Sequence, residues 1–295
     1  MSLKIGTRGS RLALAQASEI AALLSDAGFE TDLVPIVTAG DRGASARESP
    51  AGVKGLFVAD ITEALSRGDV DMAVHSAKDL PSEDPAGVLV AAVPERALPY
   101  DVLVSREVEV ADGATVGTSS LRRRSQLLRS RPSLEVQDVR GNVDTRLRKL
   151  RDGEFDALVL AAAGLARLGI DPDHAVPIPV EEMVPAPGQG ALAVQVRDEG
   201  PAAEMVIKID DPASHIAFDT ERRLVGLLGG GCRLPLGAYA EWRDGVIRLL
   251  AVVVRPDGSD LLWSQVQATS PEEAAREAAD ILRAGGADRI LEEVR

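Results

Sequence analysis

The sequence has 295 residues, a length that favours two or three domains over one compact core. Its composition, 45% hydrophobic and 27% charged, is that of an ordinary globular protein. A net charge of -13 and an aromatic content of 3% argue against a nucleic-acid binder, and no apolar run approaches the roughly 20 residues of a membrane span. The N-terminus runs into a strand-like segment without a secretory signal, so we expect a cytoplasmic protein.

A parallel α/β sheet is predicted at the start of the chain. Residues 4–7 are typical of a strand, residues 13–24 place apolar side chains at helical spacing, and residues 31–38 are typical of a second strand. This strand–helix–strand order implies parallel pairing. The small and charged residues 39–54 predict a mobile surface loop. A helix over residues 57–66 and a buried strand over residues 69–74 are expected to follow it.

The region from about Leu98 onward resembles a second copy of the first. Residues 116–120 (VGTSS) match residues 5–10 (IGTRGS), and residues 153–159 (GEFDALV) match residues 68–74 (GDVDMAV). A chance likeness between common strand–turn–helix units is the alternative. If the repeat is real, two α/β lobes hold a ligand near the carboxyl ends of their strands.

A third unit is predicted near the C-terminus. Residues 191–196 predict a strand that returns to the first lobe, and the third unit begins near Ala213. Turn sequences at residues 243–245 (RDG) and 256–258 (PDG) separate its strands, and a helix is predicted to begin at Ser270. The predicted fold is α/β, with two lobes and a small C-terminal α+β domain. We expect domain 1 over residues 1–95 and 190–210, domain 2 over residues 98–188 and domain 3 over residues 213–295.

Positive charge is concentrated in residues 118–151 despite the acidic total. Ten cations, nine of them arginine, stand there against three acidic residues. Arginine suits bidentate binding of carboxylate or phosphate, and the hydroxyls at residues 118–120 lie at a helix start, which favours anions. The arginines expected to bind anions are Arg122, Arg123, Arg140 and Arg146. A solvated helix face is the alternative, and it is favoured for Arg124, Arg129 and Arg131.

Lys78 and Asp79 follow a predicted buried strand and are expected to point into the cleft between the lobes. A carboxylate among many cations can act as a general acid or base, or can stabilise a developing cation. An ordinary surface turn is the alternative. The histidines have no metal-like spacing, so we interpret all three as structural: His75, His174 and His215.

The single cysteine, Cys232, directly follows three glycines. A lone thiol makes neither an internal disulfide nor a thiolate zinc site. The glycines leave space for a large group to approach the sulfur. A small buried hydrophobe in a glycine-rich turn is the alternative.

Eight motifs together resemble the porphobilinogen deaminase family, in the family's order and over nearly the whole chain. They are residues 7–10 (TRGS), 54–57 (KGLF), 74–81 (VHSAKDLP), 116–123 (VGTSSLRR), 139–147 (VRGNVDTRL), 163–169 (AGLARLG), 187–191 (PGQGA) and 230–232 (GGC). The resemblance implies two lobes with the architecture of periplasmic binding proteins, a third domain, and a monomer. It also implies a dipyrromethane cofactor joined by a thioether to Cys232.

The resemblance further implies a transferase of haem biosynthesis. Four porphobilinogen molecules are joined head to tail on the dipyrromethane primer with release of ammonia, and hydroxymethylbilane is then hydrolysed off. Asp79 matches the catalytic aspartate, with Lys78 beside it. The positions implied in cofactor binding, besides Cys232, are Ser10, Lys78, Asp79, Thr118, Ser120, Arg122, Arg123, Arg140 and Gln189. Those implied in binding the substrate's carboxylates are Arg8, Ser10, Arg140, Arg146 and Arg167.

A non-catalytic, two-lobed binding protein for a polycarboxylate ligand is the alternative function. It would share the lobes and the anion sites. The expected lack of a signal peptide, the Lys78–Asp79 pair and the glycine-flanked Cys232 all count against it. A nucleic-acid module that uses the arginine segment is a weaker third hypothesis, given the acidic total.

Overall fold

The helices and strands follow one another in three groups along the chain. A computed structural model describes residues 2–38, 52–229 and 234–294, and only the backbone for residues 52–57. The first group is β1 (Leu3–Arg8), α1 (Arg11–Asp26), β2 (Thr31–Ile36), α2 (Gly52–Arg67), β3 (Met72–Ser76) and β4 (Val88–Ala92). The second is β5 (Asp101–Ser105), β6 (Thr115–Gly117), α3 (Leu121–Ser130), β7 (Glu135–Gln137), α4 (Val143–Arg151), β8 (Ala157–Ala161), α5 (Ala162–Arg167) and β9 (Ala175–Ile178). The third is β10 (Leu192–Arg197), α6 (Ala202–Val206), α7 (Pro212–Leu227), β11 (Leu236–Arg243), β12 (Val246–Val254), β13 (Leu261–Ala268), α8 (Pro271–Ala284) and α9 (Ala287–Glu292).

The first lobe is a five-stranded sheet with the order β2-β1-β3-β10-β4. Strands β1, β2 and β3 are parallel, and β10 lies antiparallel between β3 and β4. Successive side chains of β3 point to opposite faces: Met72 packs with Ile20 of α1, whereas Ala73 packs with Ile61 of α2. The helices therefore cover both faces, which explains why β3 reads as a continuous apolar run.

The second lobe repeats this arrangement with the order β7-β6-β8-β5-β9. Its antiparallel strand is β5, which pairs with β8 and β9 as β10 pairs with β3 and β4. Gly68 and Gly153 precede the equivalent strands β3 and β8 and have φ values of +80° and +81°, which glycine adopts without a Cβ clash. The predicted repeat is confirmed. Strand β10 returns to the first lobe as predicted.

The C-terminal unit is a three-stranded antiparallel sheet, β11-β12-β13, with helices packed on it. Asp244 and Gly245 both have positive φ (53° and 80°) in the two-residue turn between β11 and β12, as a tight hairpin requires. Helix α8 begins at Pro271, and the Ser270 hydroxyl accepts a hydrogen bond from the Glu273 N–H (3.3 Å). The turn and the helix start predicted here are confirmed.

A buried ion pair joins the C-terminal unit to the segments that connect the lobes. Glu221 of α7 is fully buried and accepts hydrogen bonds from both Nη atoms of Arg96 (2.6 and 3.2 Å). The same carboxylate accepts the backbone N–H groups of Gly188 (2.6 Å) and Ala240 (2.7 Å). Four donors converge on one buried charge, so removing Glu221 would leave all of them unsatisfied.

Two predicted boundaries in the first lobe are wrong. Helix α2 begins at Gly52 rather than at residue 57, so the end of the predicted loop is helical, while residues 39–51 lie outside the described residues. Strand β3 covers Met72–Ser76 rather than residues 69–74. Gly68 is left-handed and the Asp69 N–H bonds to the Ala64 carbonyl (3.0 Å), so this turn still belongs to the end of α2. In the described part of the chain no helix has both the length and the apolarity to cross a membrane.

Candidate active site

A cavity of about 100 Å³ lies where the strands of the first lobe end. Strand β1 ends at Arg8 and β3 ends at Ser76, and parallel strands bring their carboxyl ends to one edge of a sheet. Both residues line the cavity, together with Ser10, His75 and Asp79. The Ser10 hydroxyl also caps α1 by accepting the Ala13 N–H (3.2 Å). The structure therefore brings the predicted residues Arg8, Ser10 and Asp79 together.

Asp79 is held by a single 3₁₀ turn, Ala77–Asp79, directly after β3. The turn packs closely against Gly188: a Cβ added to this glycine would lie 2.9 Å from the backbone nitrogen of Lys78. Gly188 also has a φ of +73°, so the backbone here requires glycine. Because this close packing fixes the turn, the Asp79 carboxylate has a defined place in the cavity wall, and its Oδ1 atom is buried. Lys78 beside it is partly exposed.

His75 lies inside strand β3 and is only 5% exposed. Burial lowers the pKa of its imidazole to about 4, and the nearby carboxylates of Asp79 and Asp84 only partly oppose this effect. The ring is therefore neutral at neutral pH. Although the sequence interpretation treated His75 as structural, it lines the same cavity as Asp79.

The arginine-rich helix of the second lobe is organised by one buried carboxylate, Asp101 at the start of β5. Arg122 donates to it through Nη2 (2.8 Å), and Arg123 donates through Nη2 (2.7 Å) and Nε (3.1 Å). The two guanidinium groups also reach the carbonyl oxygens of Val184 (2.8 Å) and Val159 (3.0 Å). Burial alone would raise the pKa of Asp101, but the two arginines more than offset it and hold that pKa well below its usual range.

The hydroxyls predicted beside these arginines shape the start of α3. The Ser120 hydroxyl accepts the Arg123 N–H (3.4 Å), and the buried Thr118 hydroxyl accepts the Ser120 N–H (3.2 Å). Gln189, fully buried, donates to Asp101 (2.9 Å) and to the carbonyl oxygen of Pro99 (2.7 Å). The structure therefore brings Thr118, Ser120, Arg122, Arg123 and Gln189 into one framework, centred on a carboxylate that lay outside the charge-rich segment.

Arg140 and Arg146 lie on the rim of this framework. Arg140 is exposed, whereas Arg146 is partly buried and donates to the carbonyl oxygen of Gly141 (2.8 Å). Burial, and then the like charge of Arg123, lower the pKa of Arg146 below its ordinary value. This face of the second lobe is therefore electropositive, which favours an approaching carboxylate.

Arg167 at the end of α5 connects the two lobes. Its Nε and Nη2 atoms donate to the two carboxylate oxygens of Glu19 on α1 (2.8 and 3.3 Å), and Nη2 also donates to the Gly190 carbonyl (3.1 Å). A second pair, Arg11 with Asp144 (2.8 Å), links the same helix to the second lobe. The predicted substrate-binding arginine is thus already engaged by an acidic residue that the motif analysis did not single out.

Cys232 and the two glycines directly before it, Gly230 and Gly231, lie outside the described residues, so the structure says nothing of their placement. Among the residues that are described, no cluster of His, Cys, Asp or Glu could hold a metal ion. Sequence reasoning missed Asp101, Glu19, Arg96 and Glu221. A signal existed for Glu221, because it shares a helix face with the apolar Phe218 and Leu224.

Family models and curated relatives agree on one family for this chain. The family described as porphobilinogen deaminase, dipyromethane cofactor binding domain, matches residues 3–205, and its C-terminal domain matches residues 216–284. A porphobilinogen deaminase of Rubrobacter xylanophilus is 48% identical over 99% of this chain and 97% of its own length. One from Brevibacillus brevis is 42% identical over the same shares. Among solved structures, a periplasmic substrate-binding protein from Coxiella burnetii covers 71% of this chain and 92% of its own, with 13% identity and a TM-score of 0.42.

Proposed function

The chain belongs to the porphobilinogen deaminase family, and from that premise we propose that it is a hydroxymethylbilane synthase, acting as a cytoplasmic monomer on porphobilinogen. The observation that carries the proposal is the place of Asp79 in the wall of a cavity that Arg8 and Ser10 also line, at the strand ends of the first lobe. An electropositive face on the second lobe complements it. The alternative, a two-lobed polycarboxylate binder, accounts for the cationic face but gives Asp79 no role.

Dipyrromethane is the cofactor of this family's matched domain. We assign its thioether attachment to Cys232, since the sequence contains no other cysteine. When bound, the group supplies the pyrrole carbon to which the next unit is joined. The donor set suits it: carboxylates at the edge of a pyrrole chain need cations, and the N–H groups along its middle need acceptors such as Asp79.

The proposal assigns different roles to three domains. Residues 1–95 and 190–210 form domain 1, residues 98–188 form domain 2 and residues 213–295 form domain 3. The two five-stranded sheets support the bounds of domains 1 and 2. Strand β10 belongs to the first sheet, so its residues are assigned to domain 1, and β5 belongs to the second sheet, so its residues are assigned to domain 2. Domain 3 carries the cysteine, and the reacting groups lie on the other two domains.

Asp79 is proposed as the catalytic carboxylate, with Lys78 adjacent to it. When the aminomethyl group of porphobilinogen loses ammonia, the electron pair of the C–N bond leaves with nitrogen and the remaining pyrrole is cationic. A fixed carboxylate beside it stabilises that charge. When the new carbon–carbon bond forms, the ring that gains the substituent loses a proton, and we assign Asp79 as the group that accepts it.

The carboxylates of the cofactor and the growing chain need cationic partners on both lobes. Arg8 and Ser10 offer a guanidinium and a hydroxyl in the cavity, and Arg140 and Arg146 offer cations on the rim. Arg122 and Arg123 contribute mainly through their positive field, since Asp101 and main-chain carbonyls take many of their donors. Thr118, Ser120 and Gln189 hold that framework in shape, and Arg167 binds substrate once Glu19 releases it.

Replacing Cys232 with Ser tests the tether. The thiolate is the nucleophile that captures the pyrrole, so the variant should lose both the added covalent mass and turnover. Intact-mass spectrometry after incubation with porphobilinogen, together with release of ammonia, measures both quantities. If the wild-type protein keeps the mass of its sequence alone, binds porphobilinogen and releases no ammonia, the binding-protein alternative would be favoured instead. Normal turnover in Cys232→Ser would remove Cys232 from the account.

A further inference from the structure

Helix α7 of the C-terminal unit binds the segment that follows the Asp79 turn. The guanidinium of Arg222 donates through Nη1 and Nη2 to the two oxygens of Asp84 (2.9 Å each), and its Nε donates to the carbonyl oxygen of Pro81 (2.8 Å). Pro81 lies two residues after Asp79 in the sequence. One side chain of α7 therefore holds the first lobe at two points directly after the proposed catalytic carboxylate.

The contact between Arg222 and Asp84 is a well-formed ion pair. The two side chains are only 13% and 19% exposed, and Asp84 also accepts the side-chain nitrogen of Gln195 on β10 (2.6 Å). Burial alone would raise the pKa of Asp84, but Arg222 and then Gln195 lower that pKa below its ordinary value. The carboxylate is therefore charged at neutral pH, and its pair with Arg222 is bidentate and charge-assisted.

The turn itself packs against the same face of α7. Phe218 lies four residues before Arg222, so the two side chains are neighbours on the helix surface, and the guanidinium lies 5.7 Å from the centre of the Phe218 ring. Phe218 belongs to one apolar cluster with Ala77 and Leu80, which flank the turn before and after Asp79. Apolar packing and polar contacts from one helix thus act on the same short segment.

The residue of α7 next to Arg222 holds the opposite side of this turn. Glu221 accepts the backbone N–H of Gly188 (2.6 Å), and Gly188 is the glycine against which the turn packs. Helix α7 ends at Leu227, shortly before Cys232 in the sequence. The helix that leads toward the proposed tether is therefore also the helix that fixes the catalytic turn.

We propose that Arg222 is a positioning residue for the reaction. By binding Pro81 and Asp84, it sets the place of the Asp79 carboxylate relative to the domain that carries the growing chain. Arg222 is not among the residues that line the cavity, so its effect on the rate comes through Asp79. A displacement of about 1 Å in a catalytic group can cost about 10²-fold in rate. The proposal rests on the proposed reaction at Asp79, and amide exchange tests its structural part separately.

Steady-state kinetics of primer-loaded protein test the role. Arg222→Gln removes the ion pair, so kcat should fall about 10- to 100-fold, while KM for porphobilinogen should stay within about twofold because the cations that bind its carboxylates are unchanged. Arg222→Lys keeps the charge but not the planar fork that reaches both acceptors, so its kcat should be intermediate. The matched control is Arg223→Gln. Arg223 pairs with Asp219 of α7 and Glu272 of α8 (2.7 and 2.8 Å), and its loss should leave kcat within about twofold.

A double-mutant cycle with Asp79→Asn separates positioning from a general loss of structure. If Arg222 acts through Asp79, adding Arg222→Gln to Asp79→Asn should lower kcat by less than about threefold. Two effects that multiply in full would overturn the proposal. So would an Arg222→Gln protein whose kcat, per folded and primer-loaded molecule, equals that of wild type. If Arg222→Gln does not fold, the same cycle with Arg222→Lys decides by the same two outcomes.

Amide hydrogen exchange of the full-length protein without substrate tests the structural part. The Leu80 N–H bonds to the Ala77 carbonyl (3.2 Å) and therefore reports on the turn. Peptides that cover residues 76–84 should exchange faster in Arg222→Gln than in wild type, and Arg223→Gln should match wild type there. Equal exchange in Arg222→Gln and wild type would overturn the proposal. A wild-type protein without added covalent mass or turnover would instead contradict the proposed function, and the exchange result would be unaffected.

Discussion

The two lobes share one fold, but equivalent positions are apolar in the first lobe and charged in the second. Each has a strand, a cap serine and a helix, so Leu12 and Ala13 of α1 correspond to Arg122 and Arg123 of α3. The antiparallel strands correspond too: Leu192 of β10 lies opposite the last residue of β3, and Asp101 of β5 lies opposite the last residue of β8. Three apolar residues of the first lobe thus correspond to three charged residues of the second. The apolar residues are Leu12, Ala13 and Leu192, and the charged ones, called the ion triple below, are Arg122, Arg123 and Asp101.

This difference shows how one scaffold separates two tasks. In the first lobe the strand ends surround a small cavity, and the acidic group there, Asp79, comes from the turn after β3. In the second lobe the acidic group is buried under two arginines and leaves a positive surplus of one charge. The first arrangement suits chemistry on a developing cation, and the second suits holding carboxylates.

Asp101→Asn attacks the ion triple and has the largest expected effect on stability. Two buried guanidinium groups would lose their counter-charge, and the free energy of unfolding should fall by about 3–5 kcal/mol. Urea unfolding followed by circular dichroism measures it. The matched control is the triple replacement Asp101→Leu, Arg122→Leu and Arg123→Ala, which copies the first lobe and should recover much of that loss. Equal destabilisation by both variants would contradict the correspondence.

The same triple predicts a pH dependence. The folded-state pKa of Asp101 lies well below its unfolded value, so its contribution to stability is fully present above the unfolded pKa and is lost as the pH falls toward the folded one. The difference in unfolding free energy between wild type and Asp101→Asn should therefore be constant from pH 7 to about pH 5 and shrink at lower pH. A difference that grows on acidification would be inconsistent with this sign.

Glu19→Gln tests the ion pairs between the lobes, with a smaller effect. If Glu19 occupies the edge of Arg167 that a substrate carboxylate needs, weakening the Glu19–Arg167 ion pair should lower KM for porphobilinogen by roughly two- to threefold. An effect of this size lies within the roughly 1 kcal/mol expected of a partly exposed ion pair. Arg11→Gln breaks the other inter-lobe pair and should leave KM unchanged. A higher KM in Glu19→Gln would show instead that Glu19 positions Arg167.

The cap serines give the smallest expected difference. Ser10→Ala should cost about 1 kcal/mol of unfolding free energy, a typical value for a lost helix cap. Ser120→Ala should cost less, because its cap hydrogen bond is longer (3.4 Å against 3.2 Å). Denaturant midpoints of the two variants make the comparison. A greater loss for Ser120→Ala would mean that this hydroxyl supports the ion triple as well as the helix.

Local chemistry explains what the sequence could predict. Cap residues, turns with positive φ and apolar periodicity act over a few residues, so the starts of α1, α3 and α8 and the turn at residues 243–245 were predictable. The internal repeat followed from the likeness of two such local units. The boundary between α2 and β3 was misplaced because a left-handed Gly68 and a hydrogen bond back into the helix delay entry into the sheet.

The pairing of charges could not be predicted, because it depends on contacts between distant parts of the chain. Asp101 is 21 residues from Arg122 in the sequence. It begins an apolar strand, and an acidic residue at a strand end is ordinarily exposed to solvent. Glu19 and Arg167 are separated by 148 residues. Sequence therefore indicated an electropositive segment, but only the fold shows which arginines are neutralised internally.

In the proposed reaction, units are added beside Asp79 while the growing chain stays fixed at Cys232. Intact-mass spectrometry of quenched reactions measures this directly, because each addition raises the covalent mass by one pyrrole unit. We expect wild-type protein to show a ladder of such masses, and Asp79→Asn to keep the primer mass but advance about 10²–10⁴ times more slowly. A ladder that forms at the wild-type rate in Asp79→Asn would contradict the claim.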